Sequence, residues 1–252
     1  MKKLSIITVT HNDGPLLERA LRAIYAQQIP AGWELEHIIV AGNDEADNRT
    51  TLNMAKEHGS IVLRKEAAGC YNAINYGIQH ATGQIIGLVH GSDYPASVNV
   101  FARIIEAFET HTPDFVFGDV VFVRYGHEDS PVRRYSSQGF NIKDIQRGFA
   151  PPHPSLFITR EAMLKVGLYK ENYRNAADFE YFVRLFAGSH NLRWKALRLV
   201  TTCMESHGSS STLRSRLFTN SMEKRRALLE NGYQISYLRI MLRYFYHFRN
   251  RK

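Results

Sequence analysis

The chain has 252 residues, 44% hydrophobic and 22% charged, which is enough to bury a sizeable core; this excludes a disordered protein and favours one α/β domain, alone or with an appendage. Its two cysteines lack metal-ligand spacing, and no apolar stretch reaches the roughly 18 residues of a membrane-spanning helix, so we expect a chain that does not cross a membrane. The net charge of +8 comes from the end of the chain, because residues 212–252 hold 10 Lys and Arg against 2 acids and the rest is balanced.

Apolar runs rich in β-branched residues alternate with helical patterns along the first half of the chain. The runs predict strands at Leu4–Val9, His37–Val40, Ile61–Leu63, Ile85–Val89 and Phe115–Val123. Apolar residues at helical spacing follow the first, third and fourth of these strands. This alternation predicts a mostly parallel, Rossmann-like sheet with helices on both faces and with ligands at the carboxyl ends of its strands.

Three of the predicted strands are followed by a polar cluster that contains Asp or Asn. THND follows Val9, AGND follows Val40 and HGSD follows Val89. Each cluster alone is typical of a turn, but three of them at the ligand-binding edge of one sheet favour a functional site. No glycine-rich dinucleotide motif or P-loop follows the first strand, which disfavours a dehydrogenase and a P-loop NTPase.

The pattern resumes after a polar stretch with a proline-rich segment. Residues 151–154 predict an extended segment before a short strand at Ser155–Thr159 and a helix from Arg160. The sequence RNAADFEYFVRLF then has one apolar helical face, which places Asp178 in the first turn of a helix. The helix dipole favours the charged form of a carboxylate there, which suits a general base and equally a helix cap.

The basic end, residues 212–252, is predicted to be a helical tail on a body formed by residues 1–211. One apolar side of this helix is formed by Ile235, Leu238, Leu242 and Phe245, with Arg239 and Arg243 on another side. The pattern is typical of a helix lying on an anionic membrane surface. The alternative is a helix that packs on its own domain and exposes a basic face. A neutral body without a recognised binding module disfavours nucleic acid as a partner.

Together these segments resemble the family 2 glycosyltransferases of the GT-A fold. The resemblance is carried by LSIITVTHND, HIIVAGND, EAAGCYNAINYGIQHATGQIIGLVHGSD and, most specifically, PPHPSLFITREAMLKVGLYKENYRNAADFEYFVRL. It covers about residues 3–190 and is nearest to the bacterial branch that assembles O-antigen, capsule and exopolysaccharide. It implies transfer of a hexose from a nucleotide sugar, most often UDP-linked in this family, to an acceptor hydroxyl with inversion.

The resemblance also implies partners and a location. The acceptor is expected to be a saccharide on a polyprenyl diphosphate carrier, at the inner face of the bacterial plasma membrane. The start of the chain has too short an apolar run for a signal peptide, which agrees with a cytoplasmic enzyme. Membrane contact through the basic tail fits an anionic, lipid-linked acceptor.

Positions in the family motifs imply a role for individual residues. Asp178 falls at the general base, and Asp93 falls on the second acid of the Asp-x-Asp element, which holds a divalent metal, Mn²⁺ or Mg²⁺. His207 is implied as a further metal ligand, and an imidazole ligand favours Mn²⁺. Donor or acceptor contacts are implied for Thr8, Thr10, Asn12, Asn43, Asp44, Asn72, Asn75, Ser92 and His153. A histidine held only by its neighbours is the alternative for His153.

Several acids of the family are missing. Gly91 stands at the first acid of Asp-x-Asp, and Ala41 stands at the Asp that hydrogen-bonds the nucleobase of the donor. Ala68 stands at the acid before Gly-x-Tyr, and Asn72 stands at a further Asp. Polar side chains of the turn after Ala41 can replace the missing contact with the nucleobase. Loss of these charges reduces the repulsion that a diphosphate meets, and so reduces the need for a cation.

The departures leave two hypotheses from different classes. In the first, the chain is an inverting transferase in which Asp93 and His207 hold the metal, or in which metal dependence is weaker because Arg or His side chains neutralise the diphosphate. In the second, the chain is a non-catalytic sugar-nucleotide-binding or assembly protein with a degenerate site. The retained Asp93 and Asp178 favour the enzyme. A nucleotidyltransferase is disfavoured, because the glycine-rich basic loop that binds a triphosphate is missing.

Overall fold

The structure is a computed structural model that describes residues 1–11, 13–42, 49–66, 69–206 and 213–235, the side chains of residues 213–218 excepted. The strands are β1 (Lys2–Thr10), β2 (Trp33–Ala41), β3 (Ile61–Arg64), β4 (Ile85–Leu88), β5 (Tyr94–Pro95), β6 (Phe115–Val123), β7 (Arg133–Tyr135), β8 (Phe157–Thr159) and β9 (Trp194–Glu205). The helices are α1 (Pro15–Tyr25), α2 (Arg49–Glu57), α3 (Cys70–His80), α4 (Val100–His111), α5 (Arg160–Val166), α6 (Ala177–Phe186) and α7 (Leu213–Glu230). Short 3₁₀ turns lie at Ile142–Arg147, His153–Ser155 and Gly188–His190.

The strands form one mixed sheet in the order β3-β2-β1-β4-β8-β6-β9-β5, with β7 beside β6. The first four strands in this order are parallel, and Ile7 of β1 lies opposite Ile38 on one side and Leu88 on the other. The expected parallel sheet is therefore found in this half. Beyond it, β8 runs antiparallel to β4 and β6, because the chain re-enters the sheet at the edge where β4 ends.

Alternate side chains of each strand pack on opposite faces of the sheet. Leu4 and Ile6 of β1 pack with α4 on one face, where α1 and α2 also lie. Ile7 packs on the other face against α3, together with α5, α6 and α7. Because both faces are buried, the central strands read as continuous apolar runs, which is why the sequence reveals them so clearly.

The expected elements are found with small shifts at their ends, and one long strand was missed. The proline-rich segment leads into β8, and Thr159 caps α5 by accepting a hydrogen bond from the N–H of Ala162 at 3.1 Å. β9 was not predicted, because half-exposed polar residues interrupt its apolar positions and its pairing with β6 contains register shifts.

The first part of the predicted tail packs on the body. Ala227 and Leu228 of α7 are fully buried in the same core as α6, and Ile235 is buried beyond them. For this part the structure agrees with the alternative in which the basic helix lies on its own domain. The apolar stripe after Ile235 lies outside the described residues, so membrane contact and the boundary at residue 212 stay predictions. Among the described helices, none is long and apolar enough to span a bilayer.

Candidate active site

The carboxyl ends of β1 and β4 bring the THND and HGSD clusters together. The N–H of Gly91 donates to the carbonyl of Val9 at 3.0 Å, which continues the parallel pairing of the two strands beyond β4. At the end of β1, Thr10 donates through its hydroxyl to Oδ2 of Asp13 at 2.8 Å, and the N–H of His11 donates to the same oxygen at 3.2 Å. Two of the predicted polar clusters thus lie side by side at the carboxyl edge of the sheet, where we place the candidate site.

Asp93 lies between β4 and β5 and is only 4% exposed. Burial raises the pKa of its carboxyl to about 7; a hydrogen bond from the backbone N–H of Glu205 opposes this rise, and the charge of Asp13 adds to it. A carboxyl placed in this way gives up its proton readily when a cation lies beside it. Asp93 is therefore suited to a charged ligand that arrives together with a metal.

Arg19 of α1 fixes the turn that carries Asp93. Its Nη2 donates to the carbonyl of Ser92 at 3.0 Å and to Oε2 of Glu205 at 2.9 Å, while its Nη1 donates to Glu128 at 3.0 Å. The guanidinium also lies 4.5 Å from the centre of the Tyr94 ring. Because Arg19 and Glu205 are largely buried, this ion pair holds the turn without flexible surface side chains.

Asp178 lies in the first turn of α6, as predicted, and its charge reaches Cys70 at the start of α3. Its Oδ1 accepts a hydrogen bond from the N–H of the next residue, Phe179, at 2.7 Å. The N–H groups that precede the helix bind elsewhere: those of Arg174, Asn175 and Ala176 all donate to Glu223 of α7. Ala176 is the N-cap residue of α6, so Asp178 satisfies a first-turn N–H from inside the helix, and its Oδ2 accepts no hydrogen bond from the described part of the chain.

Two neighbouring histidines, His90 and His153, lie near these acids, and the charge of Asp178 reaches His153. The rings of His90 and His153 lie 6.2 Å apart, and Nε2 of His153 is 2.9 Å from the hydroxyl of Tyr169. Burial lowers the pKa of His90 to about 4 and lowers the pKa of His153, although the charge of Asp178 acts against the second shift. Both rings are neutral at pH 7, so each can donate and accept a hydrogen bond.

Cys70, the first residue of α3, lies within electrostatic reach of both acidic sides. Desolvation raises the pKa of its thiol, and the charges of Asp178 and then Asp13 raise it further. Gly69 precedes it with φ at 120°, a conformation that favours glycine and lets the chain enter α3 tightly. The start of α3 therefore lies between Asp13 and Asp178, within electrostatic reach of both.

The structure brings some predicted contact residues near the two acids and places others away from them. Thr10 and Asp93 lie near Asp13, His153 lies within electrostatic reach of Asp178, and the carbonyl of Ser92 is bound by Arg19. Thr8 is fully buried, and its hydroxyl pairs with Nε2 of His37 at 2.9 Å. Asn12, Asn43, Asp44, Ala68 and His207 lie outside the described residues.

The two predicted asparagines of α3 hold a loop. Asn72 donates to Glu171 at 2.7 Å. The buried Asn75 exchanges hydrogen bonds with the backbone of Tyr169 and also donates to Glu171. Both amides thus position the segment before α6, and their contact with a substrate stays a prediction. The sequence analysis did not identify Arg19, Glu205 or Glu223 of α7. Their charge was the only signal in the sequence that could have pointed to them.

The residues at the end of β4 fit a divalent cation that is shared with a diphosphate. The described residues contain no group of three or more His, Cys, Asp or Glu side chains that could hold a metal alone. Asp93 and Asp13 nevertheless offer carboxylate oxygens, the donors that Mg²⁺ and Mn²⁺ prefer, and such cations keep several ligands from phosphate and water. A donor set of this kind fits a cation that arrives with its substrate.

Comparison with known proteins decides the family. Residues 5–171 match the family Glycosyl transferase family 2. The chain belongs to this family. It is 26% identical over 216 residues to an uncharacterised glycosyltransferase of Mycobacterium tuberculosis H37Rv, covering 83% of this chain and 79% of the relative. It is equally 26% identical over 213 residues to a PGL/p-HBAD biosynthesis glycosyltransferase of the same organism, with the same coverage of both chains.

Solved structures share the fold of this family 2 glycosyltransferase. S. aureus TarS 1-349 in complex with UDP-GlcNAc matches with a TM-score of 0.71 and 13% identity over 94% of this chain and 69% of that chain. The mannosyltransferase PcManGT of Pyrobaculum calidifontis, in complex with GDP-Man and Mn²⁺, matches with a TM-score of 0.63 and 17% identity over 98% and 70%. This chain spans 43% of the longer TarS structure. The GT-A-like α/β fold expected from the motifs is thereby confirmed.

Proposed function

We propose that this family 2 glycosyltransferase is an inverting enzyme that moves a hexose from a nucleotide sugar, in the first instance a UDP sugar, to a hydroxyl of a lipid-linked saccharide. The observation that carries this proposal is the start of α3, where Cys70 lies within electrostatic reach of Asp178 and of Asp13, and Asp13 in turn acts on the buried Asp93. Fold relatives that bind UDP-GlcNAc or GDP-Man with Mn²⁺ support a nucleotide-sugar donor and a divalent cation.

Asp178 is proposed as the general base. The acceptor oxygen attacks the anomeric carbon from the face opposite the departing diphosphate, the acceptor proton passes to Oδ2 of Asp178, and the electrons of the broken bond stay on the nucleoside diphosphate. Its Oδ1 is held by the N–H of Phe179, and the start of α6 favours the charged carboxylate. A divalent cation bound beside Asp93 would neutralise the charge that develops on the leaving diphosphate.

The neutral His153 is proposed to orient the acceptor hydroxyl. Its Nε2 already pairs with the hydroxyl of Tyr169, which fixes the ring, and the opposite edge is left for a substrate. Thr10, Ser92 and Asn72 remain proposed donor contacts, together with Asn12, Asn43, Asp44 and His207 beyond the described residues. Thr8 and Asn75 would act through the strand and the loop that they hold.

A groove lined by the segment that precedes His153 in the chain supports an acceptor site. A cavity of about 750 Å³ is lined by the segment from Tyr135 to Pro151, including the rings of Phe140 and Phe149 and the cations Lys143 and Arg147. Rings and cations together suit a saccharide that carries a phosphate. We place the enzyme at the cytoplasmic face of a bacterial membrane, in surface-polysaccharide synthesis such as O-antigen or lipopolysaccharide; the motif resemblance and the basic end support this.

The test begins with binding. The purified chain is heated with UDP, GDP and dTDP, each with and without Mn²⁺, since a ligand of the native state raises the unfolding temperature. Release of nucleoside diphosphate from UDP-hexoses and GDP-hexoses is then measured with a lipid extract as acceptor, and the anomeric configuration of the product is read by NMR. Stabilisation by one nucleotide, transfer and an inverted product are expected.

The remaining outcomes separate the two hypotheses. Binding of a nucleotide without transfer to any acceptor favours the sugar-nucleotide-binding protein over the enzyme. Absence of stabilisation by every nucleotide overturns the donor site and the proposed function with it. A retained anomeric configuration overturns the assignment of Asp178 as a base for direct displacement.

A further inference from the structure

Gly91 occupies the place where the family carries the first acid of its Asp-x-Asp element. A Cβ at this position would overlap Oδ2 of Asp13 and would lie 3.0 Å from Cγ of Asp13 and 3.0 Å from Cβ of Thr10. Both distances are shorter than ordinary contacts between carbon atoms. The space that a side chain at position 91 would fill is therefore taken by the carboxylate of Asp13, which reaches it from the end of β1.

The carboxylate of Asp13 is held in this place. Its Oδ2 accepts hydrogen bonds from the hydroxyl of Thr10 and from the N–H of His11. Its Oδ1 accepts no hydrogen bond from the part of the chain that the structure describes. One oxygen thus fixes the orientation, and the other is left for a ligand.

Asp13 and Asp93 lie close enough to influence each other. The charge of Asp13 raises the pKa of the Asp93 carboxyl, while the charge of Arg19 lowers it. Within the described residues neither carboxylate forms an ion pair, and the guanidinium of Arg19 pairs with Glu128 and Glu205. A divalent cation beside the two carboxylates would offset their repulsion.

We propose that Asp13 replaces the missing acid at position 91, so that Asp13 and Asp93 together bind the divalent cation of the donor diphosphate. The carboxylate comes from the end of β1 instead of from the turn after β4, and its Oδ2 occupies the place that the Cβ of an acid at position 91 would take. This inference rests on the proposed function, since it assigns a residue to the same donor site. It also explains how the site accommodates glycine at position 91.

Moving the carboxylate from position 13 to position 91 tests the role of Asp13 directly. Binding of UDP is measured by isothermal titration calorimetry with and without Mn²⁺ in the full chain, in Asp13→Asn, and in the double variant Asp13→Ala, Gly91→Asp, which returns the acid to the family position. Glu106→Gln, an exposed acid on α4 that is 66% accessible, is the matched control for loss of one charge. If the wild-type chain binds GDP instead, as judged by thermal stabilisation, GDP is the probe.

Asp13→Asn is expected to weaken Mn²⁺-dependent nucleotide binding about tenfold or more, the usual effect of losing a group that supports a metal. Nucleotide binding measured without metal is expected to be unchanged in Asp13→Asn. The Mn²⁺-dependent affinity of the double variant should recover to within about threefold of the wild-type affinity. The electron paramagnetic resonance spectrum of bound Mn²⁺ with the nucleotide should change in Asp13→Asn and not in Glu106→Gln.

The outcomes distinguish this inference from the proposed function. Unchanged Mn²⁺-dependent binding in Asp13→Asn overturns the role of Asp13 and leaves the donor site standing. Binding that is independent of Mn²⁺ in wild type overturns the inference as well. Absence of nucleotide binding in wild type overturns both. If Asp13→Asn fails to fold, the double variant decides, because loss of Mn²⁺-dependent binding in a folded double variant contradicts the replacement of one acid by the other.

Discussion

Glu223 of α7 accepts a hydrogen bond of 2.9 Å from the backbone N–H of Ala176, the residue that precedes α6. The same carboxylate accepts the N–H groups of Arg174 and Asn175 at 2.8 Å each. An acid from the basic end of the chain therefore satisfies the N–H groups that lead into α6. Asp178 lies two residues after Ala176, so this contact fixes the start of the helix that carries it, while its own Oδ1 accepts the N–H of Phe179.

Removal of the Glu223 carboxylate should change both stability and turnover. Glu223→Ala leaves three N–H groups without their acceptor, so we expect the free energy of unfolding to fall by about 1–3 kcal/mol. Turnover should fall with little change in nucleotide affinity, because Asp178 loses its fixed position while the donor side is untouched. Urea unfolding and initial rates measure the two effects. Glu223→Gln keeps one acceptor oxygen and should be milder; equal turnover in Glu223→Ala and wild type would contradict the positioning role.

The sequence predicts the parts of this site that depend on local pattern. The strands β1 and β4 are visible as apolar runs, and the apolar face of α6 places Asp178 in its first turn. The clusters after Val9 and Val89 are found at one sheet edge because parallel strands end at the same edge. These are consequences of periodicity and chain direction, which a sequence carries directly.

Contacts between distant segments could not be predicted in the same way. Glu205 is on a strand that polar residues conceal, and its bond to Arg19 joins residues 186 positions apart. The sequence shows that position 91 is a glycine. The position of the Asp13 carboxylate beside this glycine depends on how the ends of β1 and β4 meet. Hydrogen bonds of this kind are set by tertiary packing, which leaves no periodic signal.

Asp178→Asn should separate chemistry from binding. The amide keeps the shape of the side chain and can still accept the N–H of Phe179, but it cannot take a proton from the acceptor. Loss of a general base costs roughly 10²–10⁴-fold in rate, so turnover should fall by this amount while nucleotide affinity changes little. Stopped assays of nucleoside diphosphate release and calorimetry of UDP binding measure the two quantities. Turnover within a factor of two of wild type would remove Asp178 from the base role.

The rate at which the Cys70 thiol is alkylated should report binding of a nucleotide at the candidate site. It is exposed at the start of α3 between the two acidic sides, whereas Cys203 is buried. The pKa of the Cys70 thiol is raised by desolvation and by Asp178 and Asp13, so its reaction with N-ethylmaleimide should be slow at pH 7 and should accelerate as the pH rises. Alkylation should block transfer, and UDP with Mn²⁺ should protect, as judged by mass spectrometry. Cys70→Ser should resist inactivation; persistent inactivation of this variant would place the sensitive group elsewhere.

His37 should make the folded state sensitive to acid. Burial lowers the pKa of this ring from 6.5 to about 3, and its nitrogens pair with the hydroxyls of Thr8 and Ser60. The unfolded chain binds a proton below pH 6.5 and the folded chain does not, so this contribution to stability is complete above pH 6.5 and is lost as the pH falls towards 3.

The expected size of this effect decides the design of the measurement. A shift of this extent corresponds to on the order of 5 kcal/mol in total, or about 1.4 kcal/mol for each pH unit between the two pKa values. The free energy of unfolding of wild type and His37→Gln is measured in urea from pH 4.5 to pH 7.5. The variant should be less stable at neutral pH, but its slope should be smaller by about one proton. His90 shifts in the same direction and leaves part of the slope in the variant, so identical slopes in both proteins would show that His37 is not the group that titrates on unfolding.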